Sequence, residues 1–159
     1  GRSYTADPSL PDGLVLRMIL QRGFWLLRGL VRMRRPVFIG CGVLLRGKSS
    51  ITLGRHVTLE QHCRIDGYSL NGVSIGEGST LGAYSRIQCT SHLSRLGKGF
   101  RMGRHCGTGS FCDFGASGGI SIGDAVIMGQ FVTFHAQDHV YADTTRFIRE
   151  QGVTEQGIT

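Results

Sequence analysis

From Ile39 onward, an aliphatic residue followed by glycine returns again and again in one phase. The pairs are Ile39-Gly40, Leu53-Gly54, Ile75-Gly76, Leu81-Gly82, Leu96-Gly97, Met102-Gly103, Ile122-Gly123 and Met128-Gly129. Within clusters they recur every six residues. Filling the gaps gives inward positions 39 and 45; 53, 59 and 65; 75, 81 and 87; 96, 102, 108 and 114; and 122, 128 and 134. Two residues before most of these stands a small or β-branched side chain: Val57, Cys63, Val73, Ser79, Ser85, Cys106, Cys112, Ile120, Val126 and Val132. A period of six is neither the 3.6 of a helix nor the 2 of an ordinary strand. It is the mark of a parallel β-helix built from hexapeptides. Each hexapeptide supplies one short strand and one corner, and three make a triangular coil. Successive coils stack at the strand spacing of about 4.8 Å. No coil can bury its inner face alone, so stability resides in the stack. Glycine is expected at the corners, where unusual backbone angles are needed.

The rest of the composition narrows the classes. At 159 residues the chain fits one domain, and 25 glycines against only three prolines exclude a collagen-like or disordered chain. No apolar run is long enough to span a membrane, and no signal-peptide pattern opens the sequence. The five cysteines are odd in number and contain no CxxC pair. A disulfide framework or thiolate zinc site is therefore not expected, and a reducing cytoplasm fits. Cys63, Cys106 and Cys112 occupy small-residue positions inside the prism and read as packing residues.

The net charge of +7 is concentrated early. Residues 1–12 read as a loose tail. Residues 13–36 then carry Arg17, Arg22, Arg28, Arg32, Arg34 and Arg35 with no acid at all, in a stretch of helical spacing. Arg17, Arg28, Arg32 and Arg35 share one narrow stripe. Leu16, Ile19, Leu20, Leu26, Leu27 and Leu30 fill a broad opposite arc. Gly23 and Gly29 weaken the helix, so it needs something to lie against. That support is either the body of the domain, a sister subunit, or an anionic membrane leaflet contacted through residues 14–35 with Phe24 and Trp25 at headgroup level. Nucleic acid is not expected as a partner, because no aromatic-basic interleaving or binding motif accompanies the charge.

The monotonous repeat turns polar at FHAQDHVYAD, Phe134–Asp143, which sets two histidines four residues apart and an aspartate directly before the second. With the preceding coil, the stretch ISIGDAVIMGQFVTFHAQDHVYADTTRFIREQGVTEQGI, Ile120–Ile158, resembles the hexapeptide-repeat acyltransferases. The likeness is to their sugar O-acetyltransferase branch, which includes galactoside and maltose acetyltransferases. There an I-x-IGD-x-V coil ends in a histidine-bearing loop, followed by P-I-x-x-QG. Here that last element is Phe147-Ile148-Arg149-Glu150-Gln151-Gly152, with phenylalanine in place of proline. The repeat resemblance covers residues 37–159, the specific motif only the last forty or so.

The resemblance implies an all-β, left-handed parallel β-helix preceded by an amphipathic helix. It further implies a homotrimer with active sites between prisms, acetyl-CoA as co-substrate, no metal, and a sugar or glycan acceptor. Family members continue with an I-x-IGD-x-WIG coil that helps line the acetyl-CoA groove. This sequence ends at Gly157-Ile158-Thr159, so further coils are expected after Thr159.

Acetyl transfer to a hydroxyl needs a base, and imidazole, with an ordinary pKa of about 6.5, suits that task. The family histidine falls on His139. The G-x-S-x-G matches at Gly72–Gly76, Gly115–Gly119 and Gly119–Gly123 lie within the β repeat and lead into no helical stretch, so none reads as a nucleophile elbow, which favours direct transfer over an acyl-enzyme. Asp138, His135, Asp113, Tyr141 and Asp143 are candidates for orienting the base or binding the acceptor. Arg149, Gln151 and Gly152 are candidates for holding the cofactor. A rival reading uses the same fold differently, as in carbonic anhydrases of the gamma type. His135 and His139 with His92 or His105 would then bind a metal. A third reading is a non-catalytic assembly module.

Overall fold

A computed structural model of the chain describes residues 7–92 and 94–159. Residues 1–6, half of the expected tail, lie outside the described residues. From Asp7 the chain makes a short turn, with the Asp7 carboxylate accepting from the backbone and hydroxyl of Ser9, and enters helix α1, Asp12–Met33. Arg34 ends the helix in the left-handed conformation. The body of the chain after it is a parallel β-solenoid of about four coils.

The first coil contains β1 (Phe38–Ile39), β2 (Leu44–Arg46) and β3 (Ile51–Leu53). The second has β4 (Thr58–Leu59), β5 (Arg64–Asp66) and β6 (Val73–Ile75). The third has β7 (Thr80–Leu81), β8 (Arg86–Gln88) and β9 (Phe100–Met102). The fourth has β10 (Gly107–Thr108), β11 (Asp113–Gly115) and β12 (Ile120–Ile122), and β13 (Ile127–Met128) and β14 (Thr133–His135) begin another. Three parallel sheets result, ordered β1-β4-β7-β10-β13, β2-β5-β8-β11-β14 and β3-β6-β9-β12. Ile158 adds one further parallel bridge beside Ile120.

Register explains the core. Ile65 pairs with Ile87, Ile87 with Phe114 and Phe114 with Phe134, so one interior column runs up a sheet. Leu59 pairs with Leu81, and Leu53 with Ile75 and then Met102, on the other two. Phe114 lies 5.3 Å from Phe100 and 5.9 Å from Phe134, ring to ring, filling the interior in edge-on packing. Cys63, Cys106 and Cys112 are buried at the small positions. Leu96 departs from the expected phase: it is 44% exposed, because residues 89–99 loop away from the stack. Phe100 and Met102 resume the inward pattern.

The glycines of the repeat act differently from expectation. None of the eight paired glycines has positive φ. Six of them have backbone or side-chain atoms too close for a Cβ: one on Gly54 would sit 2.5 Å from the Glu77 backbone nitrogen, and one on Gly82 would sit 2.2 Å from the Gly109 carbonyl oxygen, whereas Gly123 and Gly129 have open space. The left-handed corners are instead occupied largely by side-chain-bearing residues, among them His62, Tyr84, Phe111 and Phe131 at φ near 60°. Their rings stack 4.9, 5.1 and 5.2 Å apart in a column up one edge of the prism.

Helix α1 lies on the first coil through an unexpected face. Gly29 is buried against Val37, where a Cβ would fall 1.8 Å from the Val37 carbonyl oxygen. Met33 packs on the core, Arg32 donates to the Val43 carbonyl at 3.0 Å, and Arg22 sits 4.6 Å over the Phe38 ring. Of the apolar arc read from the sequence, Leu26 is half-buried and the other five residues are exposed. The close approach at Gly29 governs the docking, and the apolar arc is left facing outward.

Candidate active site

Every insertion that interrupts the coils leaves at the same corner, between the β2-β5-β8-β11-β14 sheet and the β3-β6-β9-β12 sheet. Residues 47–50, 67–72, 89–99, 116–119 and 136–157 all connect a strand of the first sheet to the second, or to its extension at Ile158. The two longest, 89–99 and 136–157, enclose a cleft of about 500 Å³. Ser91, His92 and Arg95 line it from the first insertion and Ser117 from the short turn between them. Gln137, Asp138, His139, Arg149 and Glu155 line it from the last.

His139 is placed by a small antiparallel pair, β15 (Asp138–His139) with β16 (Val153–Thr154), in which His139 faces Val153 in register. The intervening loop is braced from within. The Gln151 amide donates to the carbonyls of Asp143 at 2.8 Å and Arg146 at 3.1 Å, and its oxygen accepts from the Asp143 N–H at 3.0 Å. Asp143 in turn accepts from the hydroxyl and N–H of Thr145, which hold its carboxyl below the ordinary aspartate value. A short helix, α2 (Ile148–Gln151), ends at Gly152, whose φ of 85° and ψ of −157° favour glycine. The Gly152 carbonyl accepts from Val140 at 3.1 Å. These bonds close the loop and aim its two ends back at the cleft.

The insertions are tied together across it. Ser91 donates to the Gln137 side-chain oxygen at 3.0 Å, which leaves Ser117 as the donor in the 2.7 Å Ser117–Ser91 contact. Arg95 pairs with Glu155 at 3.3 Å, and Lys98 donates to the Glu155 carbonyl at 2.9 Å. In His92 the Nδ1 accepts the Ser94 N–H at 3.3 Å, so the neutral ring carries its proton on Nε2. The cleft therefore offers two imidazoles, hydroxyls already in a donor chain, and the Arg149 guanidinium, which also lies 5.5 Å over the Phe147 ring.

Of the residues singled out from the sequence, the structure gathers His139, Asp138 and Arg149 at this cleft. The Asp138 carboxylate accepts the backbone N–H of His139 at 2.9 Å. Asp143, Gln151 and Gly152 brace the loop, and Tyr141 stands exposed on it. His135 and Asp113 lie on the outer face of a sheet, outside the cleft lining. His135 is in register with Gly115, while Asp113 makes a bidentate pair with Arg86, closest at 2.6 Å. The sequence points to His92 only as a metal ligand, and to Ser91 and Ser117 not at all, yet all three line the cleft. The signal for His92 and Ser91 is the break in phase after Cys89.

Among the described residues, no three His, Cys, Asp or Glu side chains of one chain form a metal-binding group. His105 stands apart from the cleft in a left-handed corner. Burial pushes the thiols of Cys63 and Cys89 up to about 12 and about 11, which suits packing rather than nucleophilic attack. Compared with models of protein families, with curated proteins and with solved structures, the chain matches none.

Proposed function

We propose that this protein is an acetyl-CoA-dependent O-acetyltransferase acting on a sugar or glycan hydroxyl, as the resemblance of its last coil and loop implies. The observation that carries the reading is the position of His139. It lines a cleft formed by the two longest departures from the repeat, with Ser91, Ser117, His92 and Arg149 among the lining residues. On this reading the imidazole takes the acceptor hydroxyl proton as the oxygen attacks the thioester carbonyl. The tetrahedral intermediate then expels the thiolate, which takes up that proton, leaving an acetyl ester and free CoA thiol. The Nε2–H of His92 is the cleft donor available to the developing oxyanion. Arg149 suits the phosphates of the cofactor.

A prism with flat exposed faces favours a threefold ring in which neighbouring copies complete each cleft. The homotrimer is part of the proposal. Light scattering at micromolar concentration then returns three times the 17.3 kDa chain mass. A stable monomer contradicts the assembly.

The activity itself is tested by incubating the protein with acetyl-CoA and a panel of glycosides and nucleotide sugars. Thiol release and acetylated product are measured together. Acceptor-dependent release supports the reading. Release that ignores the acceptors, or none from any acceptor, counts against it. Zinc-dependent bicarbonate formation in place of transfer supports the metal reading.

A further inference from the structure

Helix α1 has two apolar faces, and the solenoid uses only one. Gly29, Leu26, Trp25 and Met33 are buried or half-buried on the first coil. On the opposite side Leu16, Ile19, Leu20, Phe24, Leu27 and Leu30 are 46–64% exposed among the described residues. An apolar face this broad, beside a second face already spent on packing, signals a contact outside the chain.

The charge says what that contact is. Arg17 and Arg28 share one groove of about 550 Å³ with Leu16, Leu20 and Phe24, so the guanidinium groups flank the exposed apolar face on one side. Between Gly13 and Pro36 there are six arginines and no acid. A second copy of the same helix would bring like charge to like charge. A bilayer with anionic headgroups instead neutralises the arginines and receives the leucines. At 22 residues the helix is about 33 Å long. Among the described residues no helix is long and apolar enough to cross a membrane. Its geometry suits lying in the plane of the interface.

We infer that α1 docks this protein on anionic membrane, with Leu16, Ile19, Leu20, Phe24, Leu27 and Leu30 entering the headgroup boundary and Arg17 and Arg28 pairing with lipid phosphates. Docking would hold the solenoid at the surface through Gly29 and its neighbours. The inference rests on α1 alone and stands whether or not the cleft transfers acetyl groups.

The test is co-sedimentation of the full chain with vesicles of equimolar phosphatidylglycerol and phosphatidylcholine, against vesicles of pure phosphatidylcholine. Binding is expected to the anionic vesicles only, and to weaken as salt rises. The variant Arg17→Gln/Arg28→Gln should bind about thirtyfold more weakly, each basic residue near an anionic surface contributing about fivefold. The variant Leu20→Gln/Phe24→Gln should bind about a hundredfold more weakly, and because both side chains are exposed its circular dichroism should match the parent. Failure of the unmodified chain to sediment with anionic vesicles overturns the inference. So does undiminished binding of Leu20→Gln/Phe24→Gln, which would reduce the contact to charge alone. An oligomer that ignores vesicles and is dissolved by that same variant would assign the face to a second copy instead.

Discussion

Tyr84 shows how a single residue balances strain against contact in this fold. It holds φ of 59°, a conformation costing a residue with a Cβ about 1–2 kcal/mol. Its ring stacks on His62 below and Phe111 above, and each such pair contributes about 0.5–1.5 kcal/mol. The two contacts offset the strain. Asparagine tolerates the same backbone but cannot stack, so Tyr84→Asn should destabilise the protein by about 1 kcal/mol in urea denaturation. An unchanged midpoint would mean that the column is decoration. The cysteines give a second residue-scale prediction. Burial raises the Cys63 thiol to about 12 and the Cys89 thiol to about 11 in the folded chain, whereas an unfolded thiol ionises near 9. The folded state thus keeps protons that the unfolded state releases. Stability is full below about pH 9 and falls as pH rises toward the folded values. Melting temperatures across that window check the sign. Replacing both thiols by alanine should flatten the alkaline decline while lowering stability at neutral pH.

At the scale of the element, α1 was legible as a helix and illegible in its orientation. Helical spacing and the arginine stripe located it to within a few residues of Asp12–Met33. An apolar arc says which face prefers to leave water, but not which face finds the neighbour that fits. Here fit is set by Gly29, where backbone meets backbone at Val37. The same distinction runs through the repeat. The sequence marks each glycine as special, yet left-handed geometry and close stacking leave the same mark, and only the register of the coils separates them. The two helix glycines provide the test. Gly23 has open space around its Cβ position, so Gly23→Ala should stabilise by about 1 kcal/mol through helix propensity alone. Gly29→Ala should destabilise by more than that gain and loosen the helix from the first coil, read as faster proteolysis near Pro36. Stabilisation by both substitutions would contradict the docking geometry.

For the whole molecule, the solenoid was readable because the repeat enforces itself: each inward position must meet its counterparts one coil above and below. The cleft was readable only in part. Its C-terminal wall carries a recognisable loop, with His139 and Arg149 at spacings that a motif can capture. The opposite wall, Ser91 and His92, comes from an insertion with no period and no motif, and its place depends on where β8 and β9 leave and rejoin the stack. Asp113 fails for a related reason: one coil below the loop in sequence, it sits on the outer face of a sheet, where Arg86 claims its carboxylate. On the proposed function, the cleft side of the last coil does the chemistry through His139, while the sheet face beside it does not. The most direct measurement compares steady-state acetyl transfer by His139→Ala and His135→Ala, since the two histidines lie four residues apart on opposite sides of that division. A general base contributes about 10²–10⁴-fold, so kcat should fall by that factor in His139→Ala with little change in acetyl-CoA affinity, and His135→Ala should stay near the parent. Loss of turnover in His135→Ala with normal turnover in His139→Ala would contradict the account.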